Sequence, residues 1–232
     1  MLTGEDIAVE SLRSSPLFAR MAPETLGNLA RTLRRRKFRR SEVIFHQGDP
    51  GDSLHIVVAG GVKIVLPSAE GDEAIIATLR RGDFFGELAL LDGAPHSATA
   101  TALEPTETLV LPRREFHELV DRDSALREAL LAGLAAELRR LTGHVEELHF
   151  LDLAGRLAMR LSRVAREASP DASGRVTVDW PYTQSDLASM IGGTRQSVNK
   201  LLSGLVDEGL ISIERDTLVI HDVERLERRA ER

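Results

Sequence analysis

The sequence predicts an α+β chain, a β-sandwich or barrel joined through one long helix to a winged helix-turn-helix. Three observations carry this expectation. Short β-type runs separated by Gly, Pro and Asp fill residues 17–122, leucines recur every three or four residues from 124 onward, and two short capped helices precede paired β-runs across 183–220. At 232 residues the chain exceeds one ordinary domain and falls short of three. The changes of pattern divide it at 1–123, 124–150 and 151–232.

In the first segment the runs VIFHQG, LHIVVAGGVKIVL, AIIATLRRGDFF, ATATAL and TETLVLP read as short antiparallel strands. Helical pieces are expected at 22–34 before them and 113–120 after. The most basic stretch, RTLRRRKFRR at 31–40, is expected to precede the first strand, as a solvated charge run or as a nucleic-acid or partner patch.

In the middle segment Leu126, Leu130, Leu134, Leu138, Leu141, Val145 and Leu148 form the stripe. From Leu134 its spacing is 4, 3, 4, 3, the seam of a two-chain coiled coil. Packing of the same stripe on its own domain is the alternative. A second helix is expected over 151–167, ended by the turn-rich 168–174. Then come a strand RVTVDW, the helices TQSDLASMIGG and TRQSVNKLLSGLVDEG, the β-runs of LISIERDTLVIHD around a polar turn, and a charged tail.

Thr183 can cap the first short helix, whose Leu187, Met190 and Ile191 face inward, and Gly192-Gly193 supplies the turn. Thr194 can cap the second. Val198, Leu201, Leu202, Leu205 and Val206 make its apolar stripe, leaving Arg195, Gln196, Asn199 and Lys200 on a face without carboxylates. Residues near the N-terminus of such a helix reach base edges in the major groove. Arg can grip guanine O6 and N7, Gln can pair with adenine, and Lys can take guanine or a phosphate. A helical hairpin with solvated polar residues is the other reading, and the two β-runs that follow favour a wing. Residues 151–232 hold 12 Arg or Lys and 13 Asp or Glu, so affinity for double-stranded DNA must come from a few placed cations.

Composition excludes several classes. With no Cys there are no disulfides, thiolate nucleophiles or cysteine-ligated clusters. A net charge of −6 argues against nonspecific coating of nucleic acid. No apolar run approaches the length needed to span a bilayer, so no membrane partner and a cytoplasmic location are expected. No P-loop, HExxH, GxSxG or dinucleotide fingerprint is present, so no catalytic residues and no enzyme activity are expected. The scattered His46, His55, His117, His144 and His149 and the single Glu146-to-His149 spacing read as ordinary surface or core residues, and no metal is expected.

Three blocks, GDFFGELALLDGAPHSATA (82–100), HFLDLAGRLAMRLSRVA (149–165) and YTQSDLASMIGGTRQSVNKLLSGLVDEGLI (182–211), resemble the cyclic-AMP receptor branch of the CRP/FNR family of transcription regulators. The resemblance runs over nearly the whole chain. It implies a jelly-roll sensor of the cyclic-nucleotide-binding type, cyclic AMP (cAMP) or another cyclic nucleotide as ligand, a homodimer, a pseudo-palindromic DNA operator, and RNA polymerase as a partner. It also implies that the first block wraps a cyclic phosphate, with Gly86, Glu87, Leu88, His96 and Ser97 at the ligand-binding positions. Thr142 falls at an adenine-contacting position on the long helix. DNA binding would fall to Thr183, Thr194, Arg195, Gln196, Ser197, Asn199 and Lys200.

Three departures from the family pattern matter. His96 stands where cyclic-AMP binders have Arg, Leu141 stands beside Thr142 in place of a second hydroxyl, and Gln196 replaces a Glu that accepts from cytosine. An imidazole lacks the bidentate fork of a guanidinium and is only partly charged near neutrality. Two readings of the block stand: a sensor whose affinity rises below about pH 6.5, and a block kept as fold in a regulator that is effector-independent or differently liganded.

Overall fold

Eight short strands from the first half of the chain build two four-stranded antiparallel sheets. The computed structural model describes residues 4–69, 71–169, 171, 174–214 and 217–230. The strands are β1 (Arg34–Phe38), β2 (Val43–Phe45), β3 (Ser53–Ala59), β4 (Val62–Pro67), β5 (Glu73–Leu79), β6 (Phe84–Phe85), β7 (Thr99–Ala102) and β8 (Thr106–Pro112). One sheet runs β1-β8-β3-β6 and the other β2-β7-β4-β5. The long apolar run of β3 has a physical cause, because both of its faces are covered. Leu54, Ile56 and Val58 pack beneath helices α1 (Gly4–Ser14) and α2 (Pro23–Thr32), while Val57 joins Val62, Phe85 and Ala100 in a second core.

Helices α3 (Glu87–Asp92), α4 (Arg113–Arg122) and α5 (Ser124–Phe150) follow. The chain divides into two compact units, Met1–Arg139 and Arg140–Arg232, so α5 begins in one and ends in the other. In the first unit Leu126 and Leu130 are buried with Phe116 and the sheet core, while Leu131 and Leu138 are each 66% exposed. In the second unit Val145 and Leu148 are exposed too.

The second unit is built on α6 (Leu153–Ala168), which buries Leu157, Ala158, Leu161 and Ala165. The Asp152 carboxylate caps it by accepting from the Gly155 amide at 2.7 Å. Any side chain at Gly155 would meet the Ala230 carbonyl at 2.8 Å, so glycine lets α6 approach α9 (Val223–Ala230). The Arg166 guanidinium reaches both carboxylate oxygens of Glu227 at 3.0 Å and ties the same pair. Strands β9 (Val176–Asp179), β10 (Ile211–Glu214) and β11 (Thr217–Ile220) form a sheet in the order β10-β11-β9, around α7 (Gln184–Ile191) and α8 (Arg195–Asp207).

Several sequence expectations need correction. Arg34–Phe38 of the basic run is the first strand itself and does not precede it, since successive side chains of an edge strand can be solvated while its backbone pairs with β8. The helix expected at 22–34 therefore stops at Thr32, and that expected at 151–167 begins at Leu153 because Asp152 is its cap. Leu126 and Leu130 belong to the first unit's own core, and Val206 is exposed on α8. Helix α1 is an addition to the expected elements. The charged tail is helix α9, whose Val223, Leu226 and Ala230 are buried at helical spacing. Parts of the expected turns, Pro170, Ala172, Ser173, Arg215 and Asp216, lie outside the described residues, as do Met1 to Thr3.

Candidate functional site

Two groups of residues stand out, one in each unit. The first begins where β6 ends. Gly86 adopts φ +91° and a Cβ there would lie 2.8 Å from the Ser53 carbonyl, so the turn into α3 demands glycine. Glu87 follows as the first residue of α3. Burial pushes its carboxyl up to about 6, its own backbone amide lowers it in part, and the Glu137 carboxylate on α5 adds to the rise. Glu87 is a largely desolvated acceptor on the threshold of protonation. Leu88 is exposed beside it, while Ala89 and Leu90 turn into the core.

No motif in the sequence signals what holds this segment. The Arg113 guanidinium at the start of α4 donates to the Gly51 carbonyl at 3.1 and 2.6 Å and to the Ala89 carbonyl at 3.0 Å. It thus clamps α3 to the loop before β3. Gly51 must be glycine for the same reason, since a Cβ would collide with that of Ala89.

His96 is buried, 7% exposed, and its ring lies flat on Phe45 with centroids 3.6 Å apart and planes 4° from parallel. Its amide donates to the Asp49 carbonyl, and its carbonyl accepts from Gly48, each at 2.9 Å. Desolvation lowers its pKa, with Asp49 and Asp52 pulling the other way. The balance favours the neutral ring over the imidazolium. His55 adjoins this layer, 3% exposed, stacked 5.0 Å from Phe85 and hydrogen-bonded through Nδ1 to the Thr108 hydroxyl at 3.2 Å. Burial first, then Arg36 and His96, against the pull of Asp52, lower its pKa to about 4. Phe45, His55, Phe85 and His96 therefore form a neutral aromatic wall behind the Gly86 turn. Ser97 next to it is exposed. Thr142 is exposed on the part of α5 that belongs to the second unit. Among the described residues no group of three or more His, Asp or Glu is arranged to hold a metal.

The second group is the helix pair α7 and α8. Thr183 caps α7 in a full capping box: its hydroxyl accepts from the Asp186 amide at 3.1 Å and its own amide donates to the Asp186 carboxylate at 2.9 Å, to which the hydroxyl also donates at 2.7 Å. That commits its proton internally. Gly192 closes α7 at φ +67°. Thr194 then caps α8, accepting from the Ser197 amide at 3.1 Å and donating to the Ser197 hydroxyl at 3.0 Å. Ser197 keeps its own proton for an outside acceptor. Val198, Leu202 and Leu205 are buried, whereas Arg195, Gln196, Asn199 and Lys200 are all exposed. Strands β10 and β11 pair antiparallel from Ile211↔Ile220 to Glu214↔Thr217, which makes the hairpin beside the helices a wing.

A two-sheet roll carrying a glycine turn and a short helix, followed by a capped helix pair with a wing, defines a transcription regulator with a cyclic-nucleotide-type sensor domain and a DNA-binding helix-turn-helix. Known proteins share both parts. A cyclic nucleotide-binding domain family matches residues 35–123 and a Crp-like helix-turn-helix domain family matches residues 155–229. A CRP-like cAMP-activated global transcriptional regulator of Mycobacterium tuberculosis is 31% identical over 221 residues, 95% of this chain and 99% of that one. The solved catabolite activator protein of Thermus thermophilus is 31% identical, with a TM-score of 0.53 over 93% of this chain and 98% of that one. A CRP family regulator of the same organism is 27% identical, with a TM-score of 0.70 over 85% and 97%. The chain belongs to the CRP/FNR family, whose members matched here are transcription regulators and not enzymes. Among the described residues no helix is long and apolar enough to cross a membrane.

Proposed function

We propose that this chain is a homodimeric, sequence-specific DNA-binding regulator whose sensor domain binds a cyclic nucleotide with an affinity that rises on acidification. The carboxylate-free, solvent-facing row Arg195, Gln196, Asn199 and Lys200 behind the Thr194 cap carries the DNA half of this reading. Arg195 and Gln196 address base edges, Lys200 a guanine or a phosphate, and Ser197 donates to a phosphate. Thr183 and Thr194 fix the two helix starts. The exposed stripe of Leu131, Leu138, Val145 and Leu148 supports pairing of two α5 helices, which would set two recognition helices on half-sites about one DNA turn apart. RNA polymerase is the partner such a bound dimer would meet at a promoter.

For the sensor, Gly86 and Leu88 frame the turn, Glu87 accepts from a ribose hydroxyl, and Ser97 and a protonated His96 hold the cyclic phosphate. Thr142 is the base contact implied by the family resemblance. A specific observation favours a second reading: His96 is buried, stacked and mostly neutral, so an effector-independent or differently liganded regulator is the competing function. Calorimetric titration with cAMP at pH 7 and pH 6, paired with operator-binding assays with and without the nucleotide, decides between them. Binding that tightens at pH 6 supports the sensor. Absence of heat at both pH values, with DNA binding intact, supports the second reading.

A further inference from the structure

The half of the helix pair that faces away from the core contains a contact between the two helices. The Gln184 side-chain amide, on the first turn of α7, donates through Nε2 to Oδ1 of Asn199 on α8 at 2.6 Å. Asn199 is exposed and Gln184 half-buried, so neither needs this bond to escape desolvation. Asn199 lies one turn after Arg195, on the same face of α8.

An Asn that reads a base bidentately uses both ends of its amide: the NH2 donates to adenine N7 and the oxygen accepts from adenine N6. Here the oxygen already accepts from α7, which fixes the orientation of the Asn199 amide and leaves its two N–H donors available. We infer that Gln184 is a specificity-determining residue of the DNA site: by holding Oδ1 toward α7 it biases Asn199 to read with its NH2 group and so to select an acceptor edge, guanine O6 and N7 or thymine O4, over adenine. The effect resides in orientation, because a free amide rotates and a pinned one presents a single edge. This inference rests on the reading of α8 as the base-contacting helix.

The test uses the full-length dimer and a duplex library with randomised half-sites, scored for base preference at each position. The native chain prefers guanine or thymine at the position facing Asn199. Gln184→Ala releases Oδ1 and moves that preference toward adenine by about tenfold, the lower range of a bidentate contact. Gln184→Glu, a near-isosteric change at a half-buried site, accepts from Asn199 Nδ2, turns the amide over and shifts the preference toward bases that offer a donor. Asn199→Ala flattens the preference at the same position and abolishes the effect of either Gln184 variant. The inference is overturned if both Gln184 variants leave the profile unchanged at every position, or if they lower affinity uniformly while Asn199→Ala alone moves the preference. Arg195→Ala on the same library separates the two levels. Loss of binding there with silent Gln184 variants removes only this inference, whereas unchanged binding removes the recognition-helix reading beneath it.

Discussion

Replacing Glu87 with glutamine should make the sensor unit more stable while impairing it as a sensor. A carboxyl raised from 4.5 to about 6 by burial and by Glu137 carries an ionisation penalty of about 2 kcal/mol, at about 1.4 kcal/mol per pKa unit. Because the folded value is the higher one, the contribution of this group is fully present below pH 4.5 and is lost as the pH climbs through 6. A carboxamide cannot ionise, and its oxygen can still accept from the backbone amide. Glu87→Gln should therefore match the native chain at pH 4 and exceed it by up to about 2 kcal/mol at pH 8, or roughly 4–8 °C in Tm for a chain of this size. The probe must see the right unit. The only Trp and the only Tyr, Trp180 and Tyr182, lie in the second unit, so fluorescence is blind to the sensor, and calorimetry or far-ultraviolet dichroism is required. A stability difference that does not vary between pH 4 and pH 8, or a variant less stable than the native chain at pH 8, would refute the assignment of Glu87 as a strained, desolvated acceptor. Cyclic-nucleotide affinity of the same variant should fall, since a ribose hydroxyl would lose its charged acceptor.

His96→Arg should strengthen cAMP binding at pH 7 by about 10- to 100-fold and remove the tightening on acidification, as a charge-assisted bond is worth about 1.5–3 kcal/mol; unchanged affinity by calorimetry would count against a phosphate at this position. Arg195→Ala should weaken operator binding by about 1–3 kcal/mol in an anisotropy titration and relax preference at a single base pair. Leu138→Glu, at an exposed seam position, should raise the dimer dissociation constant sharply in sedimentation equilibrium, because two leucines per dimer are worth about 3–6 kcal/mol when buried.

Much of this architecture is legible in the sequence because it rests on periodicity and capping. The strands of the roll, the α5 stripe, and the Thr183 and Thr194 caps each follow from local residue choice. The basic run misleads because a strand of five residues at a sheet edge, with only Phe38 buried, has almost no apolar signal. Helix α9 is hidden by its charge, although its apolar residues recur at three and four. The candidate site can be proposed from the sequence as a set of positions, but its environment cannot. Nothing in the string states that Arg113 clamps Gly51 to Ala89, that Phe45 receives the His96 ring, or that Gln184 engages Asn199. Those contacts join residues between 15 and 62 positions apart and exist only once the chain is folded.

Strand β1 borders its sheet with Arg34, Arg35, Arg36 and Lys37 in succession, of which Arg35 is neutralised by Glu107 on β8 at 2.6 Å. The open side of such a strand is where another chain would add itself by backbone pairing, the first step toward aggregates. Two positively charged edges brought together would repel along their whole length, so this border acts as a gatekeeper for the colloidal stability of the protein. That protection is electrostatic and so depends on salt. At molar ionic strength the screening length shrinks to about 3 Å, and concentrated stocks of this chain should then begin to self-associate through β1 while its internal packing stays intact.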